Sequence, residues 1–326
     1  MAHTSSQPPL LQVEGLKTWF PIHKGILNRI SGYVKAVDGV SLHVEKGETL
    51  GLVGESGCGK TTLGRTLVGL EKPREGSIIF GGESIVQSKG KASWRKRMQM
   101  IFQDPFASLN PRMTVMDILT EGIQEHKLLN GSTREDAART LMGEVGMDPD
   151  AIFRYPHEFS GGQRQRISVA RAISLRPEFI ICDEAVSALD VSVQAQVIRL
   201  LMDLRTRFGL SYLFISHDLA VVRHISHRVA VMYLGVIVET GPTKDVVNNP
   251  LHPYTRALVS AAPRPGKKRE KRIVLEGDPP SPANPPQGCR FHTRCPHVMD
   301  VCRTQEPPSV SKGLHTVKCH LYQALA

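Results

Sequence analysis

An α/β fold built around a phosphate-binding loop is what this sequence of 326 residues predicts, and three local patterns predict it. The apolar run Thr49 to Val53 leads into Gly54, four residues, Gly59, Lys60 and Thr61, then Leu63, Leu67 and Leu70 at helical spacing. That is a strand, a glycine loop and a helix in succession. A second short apolar run, Phe179 to Cys182, stops at Asp183 and Glu184. A third, Ser211 to Ile215, stops at Ser216, His217 and Asp218, so both read as buried strands ending in polar side chains.

Composition bounds the rest. With 22% charged and 40% apolar residues the chain can bury a core, which excludes disorder and collagen-like repeats. The longest apolar stretch, Val229 to Val238, is about half of the roughly 20 residues a membrane-spanning helix needs. The first twenty residues offer neither a secretory signal nor a transit peptide, so a cytosolic protein is expected, and six Cys there are not expected to form a disulfide framework. The formal charge is +10, but residues 250–326 hold 12 Lys and Arg against 5 Asp and Glu, a net of +7 that leaves +3 for the first 249. The same stretch has 12 of the 22 Pro and four of the six Cys. A boundary is therefore expected at the Asn248-Asn249-Pro250 turn, between a body (1–249) and an extension (250–326).

Along the body, Leu10 to Val13 and Val34 to Leu42 read as strands of a small β-region. In the loop, glycines let backbone N–H groups turn toward phosphates, Lys60 supplies a point charge and the Thr61 hydroxyl can ligate Mg²⁺. Cys58 is read as a small filler. Such a loop also needs a metal-binding carboxylate and a group that activates water. Asp183 and Glu184 are the candidates, with an exposed strand end as the plain alternative, and His217 could equally be structural. In Phe159 to Arg176, Ser160 is a good N-cap, Gly161 and Gly162 permit close backbone approach, and Ile167, Ala170 and Ile173 follow at helical spacing. A second anion site at this helix start makes sense if it closes on a nucleotide held by another subunit.

These segments, GESGCGKT, SGGQ and IICDEAVSALD, resemble the nucleotide-binding subunits of ATP-binding cassette (ABC) proteins. The resemblance implies an ABC nucleotide-binding domain: a doubly wound core with a parallel sheet, an antiparallel β-subdomain and a helical subdomain at about 104–176. It implies that Gly54, Ser56, Gly57, Cys58, Gly59, Lys60, Thr61 and Thr62 hold the phosphates of ATP and its Mg²⁺. It further implies that Gln103 senses Mg²⁺, that Asp183 and Glu184 are the metal-binding and catalytic acids, and that His217 is the γ-phosphate switch. Ser160, Gly161, Gly162 and Gln163 match the signature that completes the opposite subunit's site, and Asp190 matches the dimer-contact Asp. Phe20 is the candidate for stacking on adenine, with Trp19 and Tyr33 as competitors. Phe159 stands where Leu is usual and Ala185 where Pro is common, leaving the polar chemistry intact.

Two further segments, Gln103 to Val115 and Asn249 to Pro263, resemble the F-type ATPase subunits of bacterial oligopeptide and dipeptide importers; nickel and glutathione importers share much of the pattern. The resemblance implies a second ATPase subunit, two transmembrane permeases, an extracytoplasmic solute-binding protein, and a peripheral place on the cytoplasmic face of the cell membrane. Asn110-Pro111-Arg112 is expected as an exposed turn that in the family packs against a permease helix, and Pro253 to start a helix with Leu258 facing inward.

In the extension, Cys289, Cys295, Cys302 and Cys319 argue for a metal or cluster, because a segment this rich in Pro can hardly build a core unaided. Zn²⁺ and plain reduced thiols stay open; in similar tails the Cys pattern around Arg294-Cys295-Pro296 is linked to a [4Fe–4S] cluster. The basic run Arg264 to Arg272 suits a solvated linker, anionic lipid at about 1 kcal/mol per basic residue, or the nucleic acid of a repair-type or translation-type ABC ATPase. No tandem cassette, heptad run or zinc insertion supports the last, so no nucleic acid is expected.

Overall fold

A computed structural model describes residues 8–25, 28–86, 93–129, 131–261 and 273–325; the basic run Arg264 to Arg272 lies outside them. The described chain forms two compact units, residues 1–89 with 214–326, and residues 90–213.

The first unit opens with strands β1 (Leu11–Lys24) and β2 (Arg29–Val44), longer than the apolar runs that announced them. They are followed by β3 (Thr49–Val53), helix α1 (Lys60–Leu67), β4 (Glu75–Phe80) and β5 (Glu83–Ser84). An antiparallel sheet runs β2-β1-β4-β5. Leu11, Val13 and Leu16 of β1 are buried, and a bulge after Val13 resets their alternation.

The second unit contains α2 (Trp94–Arg97), β6 (Met98–Ile101), α3 (Pro105–Ser108), α4 (Val115–Glu125), α5 (Arg134–Glu144), α6 (Gly161–Ile173), β7 (Phe179–Asp183) and α7 (Val191–Phe208). Strand β6 pairs in parallel with β7, Met98 opposite Phe179 through Ile101 opposite Cys182. Every residue of β7 is buried, as a central parallel strand requires. Strand β8 (Ser211–Ser216) carries the chain back to the first unit.

There α8 (Leu219–Ile225), β9 (Arg228–Tyr233), β10 (Val236–Pro242), α9 (Thr243–Asn248), α10 (Pro253–Ala261), α11 (Asp300–Thr304), β11 (Ser309–Lys312) and β12 (His315–Lys318) follow. Strands run β11-β12-β10-β9-β3, with β3 and β9 parallel. The apolar stretch Val229 to Val238 is thus a hairpin, its turn made by Leu234 and Gly235, both at positive φ. No helix among the described residues is long and apolar enough to cross a membrane. A bulge at Val238 turns the Glu239 carboxylate inward, where it accepts from the Leu251 and His252 N–H groups, each at 2.8 Å, and contacts His315 Nε2 at 2.6 Å. The fully polar anchor ties α10 and β12 to the same strand. Burial lowers the His252 pKa to about 4, so this ring is neutral near pH 7. Helix α10 starts at Pro253 as expected; its buried residues are Pro253, Tyr254, Thr255, Ala257 and Val259, and Leu258 is half-buried.

Candidate functional site

Between β3 and α1 the chain makes the expected loop. A Cβ at Gly54 would lie 2.1 Å from the Met232 carbonyl oxygen, and one at Gly59 2.0 Å from that of Ala36. Gly59 also sits at φ +108°, where L side chains are strained, so only glycine closes this loop. Lys60, 4% exposed, folds back to donate to the carbonyls of Gly54 (2.8 Å) and Glu55 (3.0 Å). A buried ammonium held on main-chain carbonyls at the mouth of a glycine loop is poised to exchange them for phosphate oxygens. Ser56 and Gly57 are exposed at the tip, Thr61 and Thr62 are half-buried in the first turn of α1, and no side chain caps that helix. Cys58 is buried with Sγ 3.8 Å from Lys60 Nζ; burial raises its pKa above the usual thiol value, consistent with a filler. His217 is exposed just after β8, and the next residue, Asp218, caps α8.

In the second unit Asp183 ends β7 buried, and Glu184 follows at φ +45°, an unusual backbone for a carboxylate side chain. That twist aims Glu184 at Gln103, whose Nε2 donates to Glu184 Oε2 at 3.0 Å. The structure therefore brings together two residues 81 positions apart that the resemblance singled out separately. Ala185, the departure after Glu184, is buried and leaves this bond in place.

Ser160 N-caps α6 in a capping box: Gln163 N donates to Ser160 Oγ (3.4 Å) and Ser160 N donates to Gln163 Oε1 (2.9 Å). The two glycines behave differently. A Cβ on Gly161 would find nothing closer than 3.9 Å, whereas one on Gly162 would lie 2.4 Å from Val193 Cγ1, so Gly162 serves the packing of α6 on α7. Asp190 caps α7, accepting from Val193 N at 2.9 Å and from the Ser192 hydroxyl at 2.8 Å; the Val193 N–H first, then that hydroxyl, hold its carboxyl below the usual range. Phe159 is buried under the Arg154 guanidinium, 4.7 Å from its ring centre.

Phe20 is half-buried on β1 opposite Val34. Its neighbour Trp19 is committed elsewhere: its ring packs 6.0 Å from Tyr33, with Lys35 and Arg74 over its face and Nε1 bonded to Asp38. Asn110 accepts from Arg112 N at 3.0 Å in a tight turn, and Phe106 before it is 61% exposed with the Arg164 guanidinium on its ring.

The four late cysteines converge. Cys289 N donates to the Cys302 carbonyl at 2.9 Å, and burial first, then the Cys302, Cys319 and Cys295 thiols, push Cys289 up to about 11 against the Phe291 N–H. Yet among the described residues no group of three or more His, Cys, Asp or Glu is arranged to hold a metal ion. The metal centre expected from the sequence is therefore not shown by the described residues.

Residue-by-residue reading missed Glu55, Tyr254 and Arg294. Arg294 donates to Glu55 through Nη1 (2.8 Å) and Nη2 (3.3 Å), and Glu55 N donates to Tyr254 Oη at 2.8 Å. The signal was in the sequence: an acid inside a loop that must receive phosphates requires a counter-cation.

A glycine loop with a buried Lys, on an α/β fold with a separate Gln–Glu pair, defines a nucleotide-hydrolysing P-loop protein. Residues 37–187 match the family model described as ABC transporter, and residues 238–302 that described as the C-terminal region of oligopeptide/dipeptide transporters. The oligopeptide transport ATP-binding protein AppF of Bacillus subtilis is 53% identical over 98% of this chain and 99% of its own. The dipeptide transport ATP-binding protein DppF of Haemophilus influenzae is 50% identical over 92% of each. A solved dimeric ATP-binding cassette bound to ADP and Pi shares the fold, with a TM-score of 0.63 at 22% identity over 72% of this chain and 98% of that one. The chain belongs to the ATP-binding proteins of ABC transporters and is an ABC-type ATPase.

Proposed function

We propose that this chain hydrolyses ATP to energise peptide import. The observation that carries this is the 53% identity, across nearly both full lengths, to a relative named for oligopeptide transport. A match of residues 238–302 to the oligopeptide/dipeptide C-terminal region supports it outside the cassette itself. We read 1–249 as the nucleotide-binding domain, with a helical subdomain at about 104–176, and 250–326 as its importer-type extension.

The chemistry of the loop suits a triphosphate: Gly54 and Gly59 close it tightly against the Met232 and Ala36 carbonyls, and the Lys60 ammonium is held on the Gly54 and Glu55 carbonyls within it. Lys60 and the loop N–H groups would bind the β- and γ-phosphates, Ser56 and Gly57 at the tip and Thr62 beside them. Thr61, Gln103 and Asp183 would serve Mg²⁺. Magnesium supplies charge neutralisation of the phosphates when bound. Glu184, restrained by Gln103, would orient the attacking water and accept its proton, and His217 would donate to the γ-phosphate. Phe20 would cover the adenine. Ser160, Gly161, Gly162, Gln163 and Asp190 would serve the site of a second ATPase subunit.

The exposed Phe106 beside the Asn110 turn is the surface we assign to a permease, and we read the chain as peripheral at the cytoplasmic face of the inner membrane. Two permeases and a solute-binding protein complete the assembly. For the four cysteines we retain a [4Fe–4S] cluster, with zinc as the alternative, on the convergence of the thiols; about four irons per chain after anaerobic purification, as the cluster's own stoichiometry requires, supports it. Finding neither metal removes it.

In the reconstituted assembly, peptide with the solute-binding protein should stimulate ATP turnover, and Glu184→Gln should keep ATP binding and lose turnover. Undiminished hydrolysis by that variant would sink the assigned role. Stimulation by nickel or glutathione instead of peptide would reassign the cargo.

A further inference from the structure

Glu55 is the second residue of the phosphate loop, and a carboxylate there opposes the polyphosphate the loop is built to receive. The structure supplies its answer from the far end of the chain. Arg294 is nearly buried, with 7% of its side chain exposed against 28% for Glu55, and its fork meets the carboxylate with two bonds. The Glu55 main chain is fixed from the same side. Its N–H donates to Tyr254 Oη, while its carbonyl, with that of Gly54, receives Lys60.

These groups rest on a rigid base. Tyr233, Tyr254 and Phe291 are fully buried, with ring centres 4.7 Å (Tyr233 to Tyr254), 5.2 Å (Tyr233 to Phe291) and 5.5 Å (Tyr254 to Phe291) apart. Arg294 N donates to the Phe291 carbonyl at 3.0 Å, so the short turn that ends in Cys295 leaves the guanidinium little freedom. One turn earlier Arg290 pairs with Asp38 of β2, a second ion pair with both side chains nearly buried. The cysteine-bearing extension is therefore packed on the loop's own walls.

We infer that Arg294 is a positioning residue of the ATP site: it neutralises Glu55 and fixes the first turn of the loop, so that Lys60 and the loop N–H groups are presented to the phosphates. The inference rests on the phosphate-loop reading above. It makes the extension part of the nucleotide site as well as an appendage. Without Arg294 the Glu55 carboxylate faces the nucleotide unpaired, so binding suffers from charge repulsion; with Glu55 made neutral, the need for Arg294 disappears.

The test is Mg-ATP and Mg-ADP titration of the full chain, with ATPase kinetics in the assembled complex. Arg294→Gln should weaken both nucleotides by about tenfold and raise KM with kcat little changed, and the loss should shrink as salt screens the exposed carboxylate. Adding Glu55→Gln to Arg294→Gln should restore affinity to that of Glu55→Gln alone, and Arg294→Lys should recover part of it. Unchanged affinity in Arg294→Gln, or a loss that Glu55→Gln does not rescue, overturns the inference. If Arg294→Gln does not fold, the comparison passes to Arg294→Lys with and without Glu55→Gln, read the same way. Lys60→Ala separates the two readings: if it binds Mg-ATP normally the phosphate-loop assignment itself fails, whatever Arg294 does.

Discussion

Two helix starts in this molecule look alike in sequence and are built on opposite plans. Helix α1 begins within GESGCGKT and α6 within FSGGQ, each a Ser- and Gly-rich turn feeding an apolar stripe. At α1 the N-cap is Gly59 at φ +108° and no side chain caps the helix. At α6 the N-cap is Ser160 in extended backbone, and Ser160 and Gln163 cap each other reciprocally. The lesson is that a glycine-rich helix start is an anion site to the degree that its own side chains leave the first-turn N–H groups to a ligand. The loop before α1 recruits a buried cation and keeps its helix uncapped. At the start of α6 the Ser160 hydroxyl already accepts from Gln163 N, so a ligand that takes that N–H must displace it.

The largest effect that sharpens this contrast is expected at Lys60. Lys60→Ala removes the buried ammonium that opens α1, and ATP turnover should fall by roughly 10²–10³-fold, measured as kcat/KM in the assembled complex. Normal kinetics would erase the distinction between the two helix starts. A smaller and different effect is expected in the signature. Gly162→Ala forces a methyl against Val193, 2.4 Å away, and should destabilise the chain by about 1–3 kcal/mol in urea unfolding. Gly161→Ala, with 3.9 Å to its nearest neighbour, should change stability by less than about 0.5 kcal/mol. Equal costs for the two would mean that α6 and α7 do not pack as described.

What the sequence made legible was local. Strand β3, the loop and α1 announced themselves within some twenty residues because alternation, glycine spacing and helical periodicity are short-range signals. The Ser160 cap was legible for the same reason. Family resemblance singled out Gln103 and Glu184 separately, but their bond was not legible, since nothing in either segment specifies a partner 81 residues away. For the Arg294–Glu55 pair, 239 residues apart, the sequence held only half of the signal: an acid within the loop calls for a cation, but nothing local says which one. The four Cys show a further limit: spacing tells that thiols can converge, and says nothing of how their sulfur atoms are oriented.

The smallest expected effect decides what Ser160 is for. Its Oγ accepts from Gln163 N at 3.4 Å, a long bond, while the reciprocal bond from Ser160 N to Gln163 is tight at 2.9 Å and survives removal of the hydroxyl. Ser160→Ala should therefore cost only about 0.5–1 kcal/mol in the isolated chain, read from chemical unfolding. That weakness is what a shared donor requires, because a hydroxyl held strongly by its own helix could not turn to a nucleotide on another subunit. If Ser160 serves that nucleotide, Ser160→Ala should lower turnover of the assembled complex at least about tenfold, the low end for one lost hydrogen bond to a charged group. Mg-ATP binding by the isolated chain should stay unchanged, and Ser160→Thr should restore turnover. A loss of stability with full turnover would leave Ser160 a helix cap alone, and the resemblance between the two helix starts would then stop at their sequences.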